Sequence, residues 1–133
     1  MKKILVIDDS PTVRQQVSAA LAKGGYGIVE AVDGQDALEK LEPGIALIIC
    51  DVNMPRLGGI ETLEKLRADP QWTAIPVVML TTEGQPGLIE RAKKLGAKGW
   101  IVKPFKPDLL ASAVNRLTSP PKGAAGSSAT PTS

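Results

Sequence analysis

The chain has 133 residues, a formal net charge of +2, one cysteine and no histidine. This length is enough for one domain with a buried core. The small net charge argues against an electrostatic nucleic-acid binder, and a single cysteine excludes an internal disulfide. The absence of histidine excludes serine–histidine and cysteine–histidine catalysis, as well as zinc sites built on imidazole.

The amino-terminal sequence does not have the pattern expected of a signal peptide. The basic stretch Met1-Lys2-Lys3 is followed by an apolar run that ends at Asp8, which is too short for a signal peptide. No apolar stretch approaches the ~20 residues that span a bilayer. We therefore expect a cytoplasmic protein that does not insert into a membrane.

Short apolar runs alternate with amphipathic segments through the first 118 residues. The runs predict five strands, at 4–7, 28–32, 45–51, 77–80 and 99–102. The run at 28–32 contains a glutamate and is predicted to be a more exposed edge strand. The run at 45–51 has six apolar or small residues in succession, a pattern typical of a strand buried on both faces.

A segment with helical periodicity follows each predicted strand. Ser10-Pro11 predicts the start of the first helix, because serine caps helices and proline is favoured in their first turn. The fourth helix, from about Pro86 to Leu95, is flanked by glycines and is predicted to be mobile at its start. The last helix is predicted to turn five residues toward the core: Leu109, Leu110, Ala113, Val114 and Leu117.

Alternating strands and helices predict an α/β fold of three layers. Its centre is a doubly wound parallel sheet of (βα)5 type, with right-handed crossovers and helices on both faces. Residues 1–118 are predicted to form this domain. Residues 119–133 contain no large apolar residue. Burial could not offset the entropy of ordering them, so they are predicted to be a disordered tail.

The central strand ends on Asp51, and Pro55 prevents the strand from continuing because proline cannot donate to a ladder. Open α/β sheets bind ligands at the carboxyl ends of their strands. From this stretch alone, Asp51 is equally consistent with a binding site and with a loop cap.

Polar side chains stand at the ends of four predicted strands: Asp8 and Asp9, Asp51, Thr81, and Lys103. Parallel strands bring their carboxyl ends to one edge, so these groups can converge. Crowded carboxylates repel one another unless a cation lies among them, and an all-oxygen ligand set suits Mg²⁺. A lysine and a hydroxyl at the same edge are groups that hold phosphoryl oxygens. Individually each residue is commonly a turn, a cap or a solvated end, but their joint occurrence indicates a site with a nucleophilic carboxylate.

The segments Ile7-Asp8-Asp9-Ser10, Asp51-Val52-Asn53-Met54-Pro55, Thr81 and Lys103-Pro104 together resemble the receiver domain of two-component response regulators. The resemblance covers residues 2–118 and is nearest to single-domain receivers of the chemotaxis type. It implies a flavodoxin-like fold with strand order 2-1-3-4-5, the order for which chemotaxis receivers are known. It also implies a cis bond between Lys103 and Pro104.

The resemblance implies that Asp51 accepts a phosphoryl group from the histidine of a partner kinase or a histidine phosphotransfer protein. The Asp9 and Asp51 carboxylates and the backbone carbonyl of Asn53 would ligate Mg²⁺, with Asp8 acting mainly through water. The absence of histidine fits this scheme, because the donor imidazole belongs to the partner.

Further roles follow from the same resemblance. Lys103 and Thr81 would bind the phosphoryl oxygens. Trp100 stands where the family has its switch aromatic, and it is equally consistent with a packed strand residue that does not switch. The bulky Thr82 could narrow access to Asp51.

The resemblance further implies self-catalysed dephosphorylation, tuned by Asn53 and Glu83. We expect no DNA-binding domain after residue 118, and we therefore expect the output to be contact with a downstream target protein through the fourth helix, fifth strand and fifth helix. The expected oligomeric state is a monomer or a weak, phosphorylation-dependent dimer.

Three other functions are alternatives to the receiver interpretation. A magnesium phosphohydrolase of the haloacid-dehalogenase type needs Asp-x-Asp after the first strand, which Asp8-Asp9-Ser10 does not supply. An adaptor that works without phosphorylation is the second alternative, and the presence of every acidic and basic group argues against it. A dinucleotide binder is disfavoured, because Gly24-Gly25-Tyr26-Gly27 follows a helix and lacks the required spacing.

Overall fold

The computed structural model describes residues 2–52, 57–82 and 86–118, with Pro86 described in its backbone only. Its strands are β1 (Lys3–Ile7), β2 (Gly27–Ala31), β3 (Ile45–Asp51), β4 (Val77–Thr81) and β5 (Gly99–Val102). Its helices are α1 (Pro11–Ala22), α2 (Gly34–Lys40), α3 (Gly59–Ala68), α4 (Pro86–Lys94) and α5 (Pro107–Thr118). The predicted tail, 119–133, lies outside the described residues. No helix in the described ranges is both long enough and apolar enough to cross a bilayer.

All strand pairs are parallel, and the sheet order is β2-β1-β3-β4-β5. This confirms the predicted order and the position of β2 at an edge. Ile7 pairs with Cys50, and Thr81 pairs with Val102. The carboxyl ends of β1, β3, β4 and β5 therefore finish close to one another along one edge of the sheet.

Each face of the sheet is covered by a different set of helices. Cys50 and Met79 point to the face that Leu63 of α3 covers, together with residues of α2 and α4. Ile49 points to the opposite face, where Leu110 of α5 and residues of α1 pack. Successive strand residues alternate between these two cores, as the pleat requires. The predicted architecture of three layers is confirmed.

One prediction for α5 is wrong. Leu109 is 59% exposed, whereas Leu110 and Val114 are completely buried. Ala113 and Leu117 are partly buried against the same core. The buried stripe is thus centred on positions 110, 114 and 117, and Leu109 lies about 100° around the helix from Leu110. An apolar side chain next to the stripe therefore faces solvent.

The carboxy-terminal end of α4 is fastened by Arg67 of α3. Its Nε donates to the Leu95 carbonyl at 2.7 Å, and its Nη2 donates to the Gly96 carbonyl at 3.2 Å. Nη1 donates to the carbonyls of Thr73 and Ile75 at 3.0 and 3.1 Å. A guanidinium is favourable at this end because the last carbonyls of a helix carry partial negative charge. The anchored end of α4 lies away from the carboxyl edge of the sheet.

Gly59 lets the first turn of α3 pack directly against the end of β3. A Cβ at this position would lie 2.2 Å from the Asp51 carbonyl oxygen and 2.8 Å from the Val52 Cα. Because both obstacles are backbone atoms, Gly59→Ala must displace α3, and we expect it to lower the free energy of unfolding by roughly 2–3 kcal/mol. Urea denaturation monitored by circular dichroism measures this change.

Gly87→Ala is the matched control for that substitution. A Cβ at Gly87 of α4 has no described neighbour within 4 Å. Alanine favours the helix, so stability should stay the same or rise by up to ~1 kcal/mol. Equal losses in the two variants would contradict the steric explanation.

Candidate functional site

The predicted strand ends meet at the carboxyl edge of the sheet. Asp8 follows β1, Asp51 ends β3, Thr81 ends β4 and Lys103 follows β5. Backbone hydrogen bonds extend the ladder through these positions, from the Asp8 amide to the Ala31 carbonyl at 3.1 Å and from the Lys103 amide to the Thr81 carbonyl. The Lys103-Pro104 bond is cis, as predicted. The four side chains are therefore held by the sheet itself.

Three aspartates form a cluster at this edge. Asp8, Asp9 and Asp51 each offer a carboxylate oxygen, and these oxygens all lie within 4.8 Å of one another. Asp8 is completely buried, Asp51 is 4% exposed and Asp9 is open to solvent. Hard oxygen donors of this number and charge fit Mg²⁺, and the open side at Asp9 leaves room for its waters. Asn53, the other predicted ligand, lies outside the described residues.

Lys103 is shared between two of these carboxylates. Its Nζ lies 3.1 Å from Asp8 Oδ2 and 3.3 Å from Asp51 Oδ1, and its side chain is 13% exposed. The second oxygen of Asp8, Oδ1, accepts a hydrogen bond from the Ser10 amide at 2.9 Å. Both oxygens of the buried Asp8 therefore have partners, and the ammonium offsets part of the repulsion between Asp8 and Asp51.

The environment raises the pKa of Asp51 above the ordinary aspartate value. Burial is the largest cause; the Asp8 charge adds to it, Lys103 opposes it, and Asp9 adds a smaller increase. For Lys103, burial lowers the pKa, but the hydrogen bond to Asp8 and the charge of Asp51 outweigh burial, so the net shift is upward. Adding positive charge to the cluster would lower the Asp51 pKa, so metal binding and ionisation of this carboxyl are coupled.

The remaining predicted residues surround this cluster. Thr81 is 2% exposed, and Thr82 beside it is exposed. Glu83 lies outside the described residues. Trp100 pairs with Met79 and is partly buried against the core that α4 helps to cover. Its indole Nε1 is buried and has no hydrogen-bond partner within the described part of the chain. Both interpretations of Trp100, as a switch and as a packed strand residue, stay predictions.

Two residues at this edge were not identified from the sequence. Arg14 of α1 donates from Nη1 to the Asp8 carbonyl at 2.6 Å and from Nε to Glu30 Oε1 at 2.9 Å. The only sequence signal was an arginine one turn after the helix cap at Ser10. Its proximity to Glu30 depends on the pairing of β1 with β2, so spacing along the chain did not reveal it.

Cys50, directly before Asp51, is buried in β3, and its thiol lies 3.4 Å from the Asp51 carbonyl oxygen, to which it donates. It is 1% exposed, and burial raises the pKa of its thiol well above the usual range, with Asp51 and Asp8 adding to the shift. A thiol that stays protonated is a weak nucleophile and a poor metal ligand. This agrees with the packing role predicted for it.

The sheet order, with three acids, a hydroxyl and a lysine at one edge, defines an α/β protein of the receiver class. Comparison with known proteins agrees, because residues 4–115 match the family model for the response regulator receiver domain. The chain belongs to the response regulator receiver family, which acts in two-component signalling.

Individual relatives are chemotaxis proteins. The chain is 40% identical over 111 residues to chemotaxis protein CheY1 of Helicobacter pylori, a match that covers 81% of this chain and 90% of the relative. It is 37% identical to the CheY homologue of Campylobacter jejuni, over 81% of this chain and 85% of the relative. A structure of Vibrio cholerae CheY4 superposes with a TM-score of 0.81 and 42% identity, covering 88% of this chain and 98% of that one. The predicted likeness to chemotaxis receivers is confirmed.

Proposed function

We propose that this chain is a single-domain response regulator that accepts a phosphoryl group on Asp51 from a phosphohistidine. The observation that carries the proposal is the Asp51 carboxylate at the sheet edge, 4% exposed, with two further aspartates and the Lys103 ammonium around it. The chain contains no histidine. The donor imidazole must therefore belong to a kinase or a histidine phosphotransfer protein.

The proposed metal is Mg²⁺, held by Asp8, Asp9 and Asp51 with the Asn53 carbonyl as a further predicted ligand. Asp8 is expected to act mainly through water, since both of its oxygens already have partners in Ser10 and Lys103. When bound, Mg²⁺ supplies positive charge that offsets the carboxylates and the phosphoryl oxygens.

In the transfer step, a carboxylate oxygen of Asp51 attacks phosphorus and forms a new O–P bond. The P–N bond to the donor histidine breaks, and its electron pair leaves with the imidazole. Lys103 is expected to bind a phosphoryl oxygen, and the 3.3 Å between its Nζ and Asp51 Oδ1 supports this role. Thr81, at the end of the adjacent strand, is the expected hydroxyl donor to another oxygen. Holding the developing charge in this way is the main protein contribution in phosphoryl transfer.

Phosphorylation adds about −1.5 to −2 charges at Asp51. Shifting the ratio of active to inactive conformations from 1:99 to 99:1 requires the phosphoryl group to interact about 5.5 kcal/mol more favourably with the active conformation. A few charge-assisted hydrogen bonds of ~1.5–3 kcal/mol each can supply this difference. Lys103 and Thr81 are the groups expected to make these bonds. Because Arg67 holds the far end of α4, we expect the response at the end of α4 that begins at Pro86.

The proposed output surface comprises α4, β5 and α5. Val102 of β5 and Leu109 of α5 are 47% and 59% exposed, so apolar side chains are accessible to a protein partner there. Chemotaxis is the proposed pathway, from the likeness to chemotaxis relatives. Self-catalysed dephosphorylation, tuned by Asn53 and Glu83 with Thr82 limiting access, completes the proposal, and the expected state is a monomer or a weak dimer formed on phosphorylation.

Beryllofluoride with Mg²⁺ tests this proposal, since it mimics an aspartyl phosphate without turnover. Amide shifts in ¹H–¹⁵N spectra should change first around Asp8, Asp51, Thr81 and Lys103, and then along α4, β5 and α5. The changes should require Mg²⁺ and should vanish in Asp51→Asn. Unchanged spectra in the wild-type protein would contradict the phosphoacceptor role, and changes confined to the metal cluster would contradict the proposed output surface.

A further inference from the structure

We propose that Arg14 is a positioning residue for the acidic cluster, because it fixes the peptide between Asp8 and Asp9 and thereby aims the Asp9 carboxylate at the metal position. This inference rests on the proposed function, in which the cluster binds Mg²⁺.

The geometry of Arg14 is that of a bridge between two elements. Nη1 donates to the Asp8 carbonyl oxygen at 2.6 Å, and Nε donates to Glu30 Oε1 on β2 at 2.9 Å. The Arg14 side chain is only 14% exposed, whereas the Glu30 side chain is 48% exposed. A guanidinium is planar and rigid, so two bonds in different directions fix its orientation. Glu30 thus holds the guanidinium against the loop that follows β1.

The loop transmits this restraint to Asp9. The other polar groups of Asp8 are bound by Ala31, Ser10 and Lys103, which leaves its carbonyl as the group that orients the next residue. A peptide unit is planar, so the direction of the Asp8 carbonyl sets the Asp9 amide and Cα. Asp9 is the exposed member of the cluster. Its alignment with the two buried carboxylates therefore depends on the hydrogen bond from Arg14.

Arg14 is expected to act on the cluster by fixing the position of Asp9 and not through its positive charge. The charged groups that shift the pKa of Asp51 are Asp8, Lys103 and Asp9. The positive charge of Arg14 is paired with Glu30. A lysine at position 14 would keep the charge, but its single nitrogen could not reproduce the fork that joins the loop to β2.

Isothermal titration calorimetry of the unphosphorylated protein with MgCl₂ tests the inference without relying on phosphorylation. We expect Arg14→Lys to raise the Mg²⁺ dissociation constant about tenfold, the lower end of what groups that orient metal ligands contribute. Glu30→Ala should raise it in the same direction by a smaller factor. Arg116→Lys, on an exposed residue of α5, is the matched control and should bind Mg²⁺ as the wild type does.

The melting temperature of each metal-free variant and its labelling by acetyl phosphate complete the test. We expect Arg14→Lys to melt close to the wild type and to reach wild-type labelling once Mg²⁺ is saturating. A wild-type dissociation constant in both Arg14→Lys and Glu30→Ala would overturn the inference. A raised dissociation constant in Arg14→Lys together with a large fall in its melting temperature would also overturn the inference, because Arg14 would then be a structural residue. A wild-type protein that binds no Mg²⁺ would contradict the proposed function itself.

Discussion

Lys103→Met is expected to lower the free energy of unfolding at pH 7 by roughly 3 kcal/mol in the absence of Mg²⁺, as removing one partner of a buried ion pair does. The ammonium lies 3.1 Å from the completely buried Asp8 and 3.3 Å from Asp51. Without it, the buried carboxylates repel each other with no cation between them. Urea denaturation with a chelator present measures the loss.

The pH dependence of this loss identifies its cause. The folded-state pKa of Lys103 is raised, so its contribution is fully present below the unfolded value of ~10.4 and is lost only as pH rises through the folded pKa. At pH 7 the wild type therefore has the whole contribution. In Lys103→Met the cost should shrink as pH falls, because the Asp51 carboxyl, whose pKa is raised, is protonated and no longer repels its neighbours. Mg²⁺ should recover part of it.

Lys106→Met is the control, because Lys106 lies in the same loop but is exposed. Its stability should stay within about 0.5 kcal/mol of the wild type. A Lys103→Met loss of equal size at pH 5 and pH 7, or a comparable loss in Lys106→Met, would contradict the electrostatic explanation.

Asp51→Asn is expected to stabilise the metal-free protein at pH 7 by roughly 1 kcal/mol, the usual size of a gain from relieving a functional site. The pKa of Asp51 is raised in the folded state, so its ionised form opposes folding above that pKa. The penalty fades as pH falls toward the unfolded value of ~3.9. The gain should therefore disappear near pH 4, which thermal melts in chelator at several pH values will show.

Mg²⁺ should reverse this ranking. A ligand that binds only the folded state stabilises it in proportion to the logarithm of its concentration. Wild-type protein should therefore melt higher as Mg²⁺ is added, while Asp51→Asn should respond much less. Asp36→Asn is the control of opposite sign, because the Val32 amide lowers the pKa of Asp36 and makes its charge stabilising at pH 7. A wild-type melting temperature that does not change when Mg²⁺ is added would contradict the proposed metal site.

The sequence was sufficient to predict the fold and the convergence of the strand-end residues, for a physical reason. Strands buried on both faces appear as unbroken apolar runs, and helices between them require a parallel sheet. Once the strands are parallel, residues that end them must converge. Asp8 and Lys103 are 95 residues apart in the sequence. Their proximity, and that of Asp51, was nevertheless predictable because each lies at the carboxyl end of a parallel strand.

Contacts that depend on the rotation of a helix or on local clearance could not be predicted in this way. Leu109 was expected in the core, because periodicity locates an apolar stripe only to within about one residue. Arg14 reaches Glu30 only through the position of α1 over the β1–β2 pair. Position 59 requires glycine because a Cβ there would clash with the Asp51 carbonyl oxygen. These contacts are set by packing in three dimensions.

The most direct test of the central claim is the intact mass of the protein after incubation with acetyl phosphate and Mg²⁺. We predict the addition of one phosphoryl group to the wild type and to Asp36→Asn, no addition to Asp51→Asn, and no addition when Mg²⁺ is removed with a chelator. Peptide mapping after reduction with borohydride, which traps acyl phosphates, should locate the group on Asp51. Phosphoryl mass that survives in Asp51→Asn would contradict the assignment of Asp51 as the acceptor.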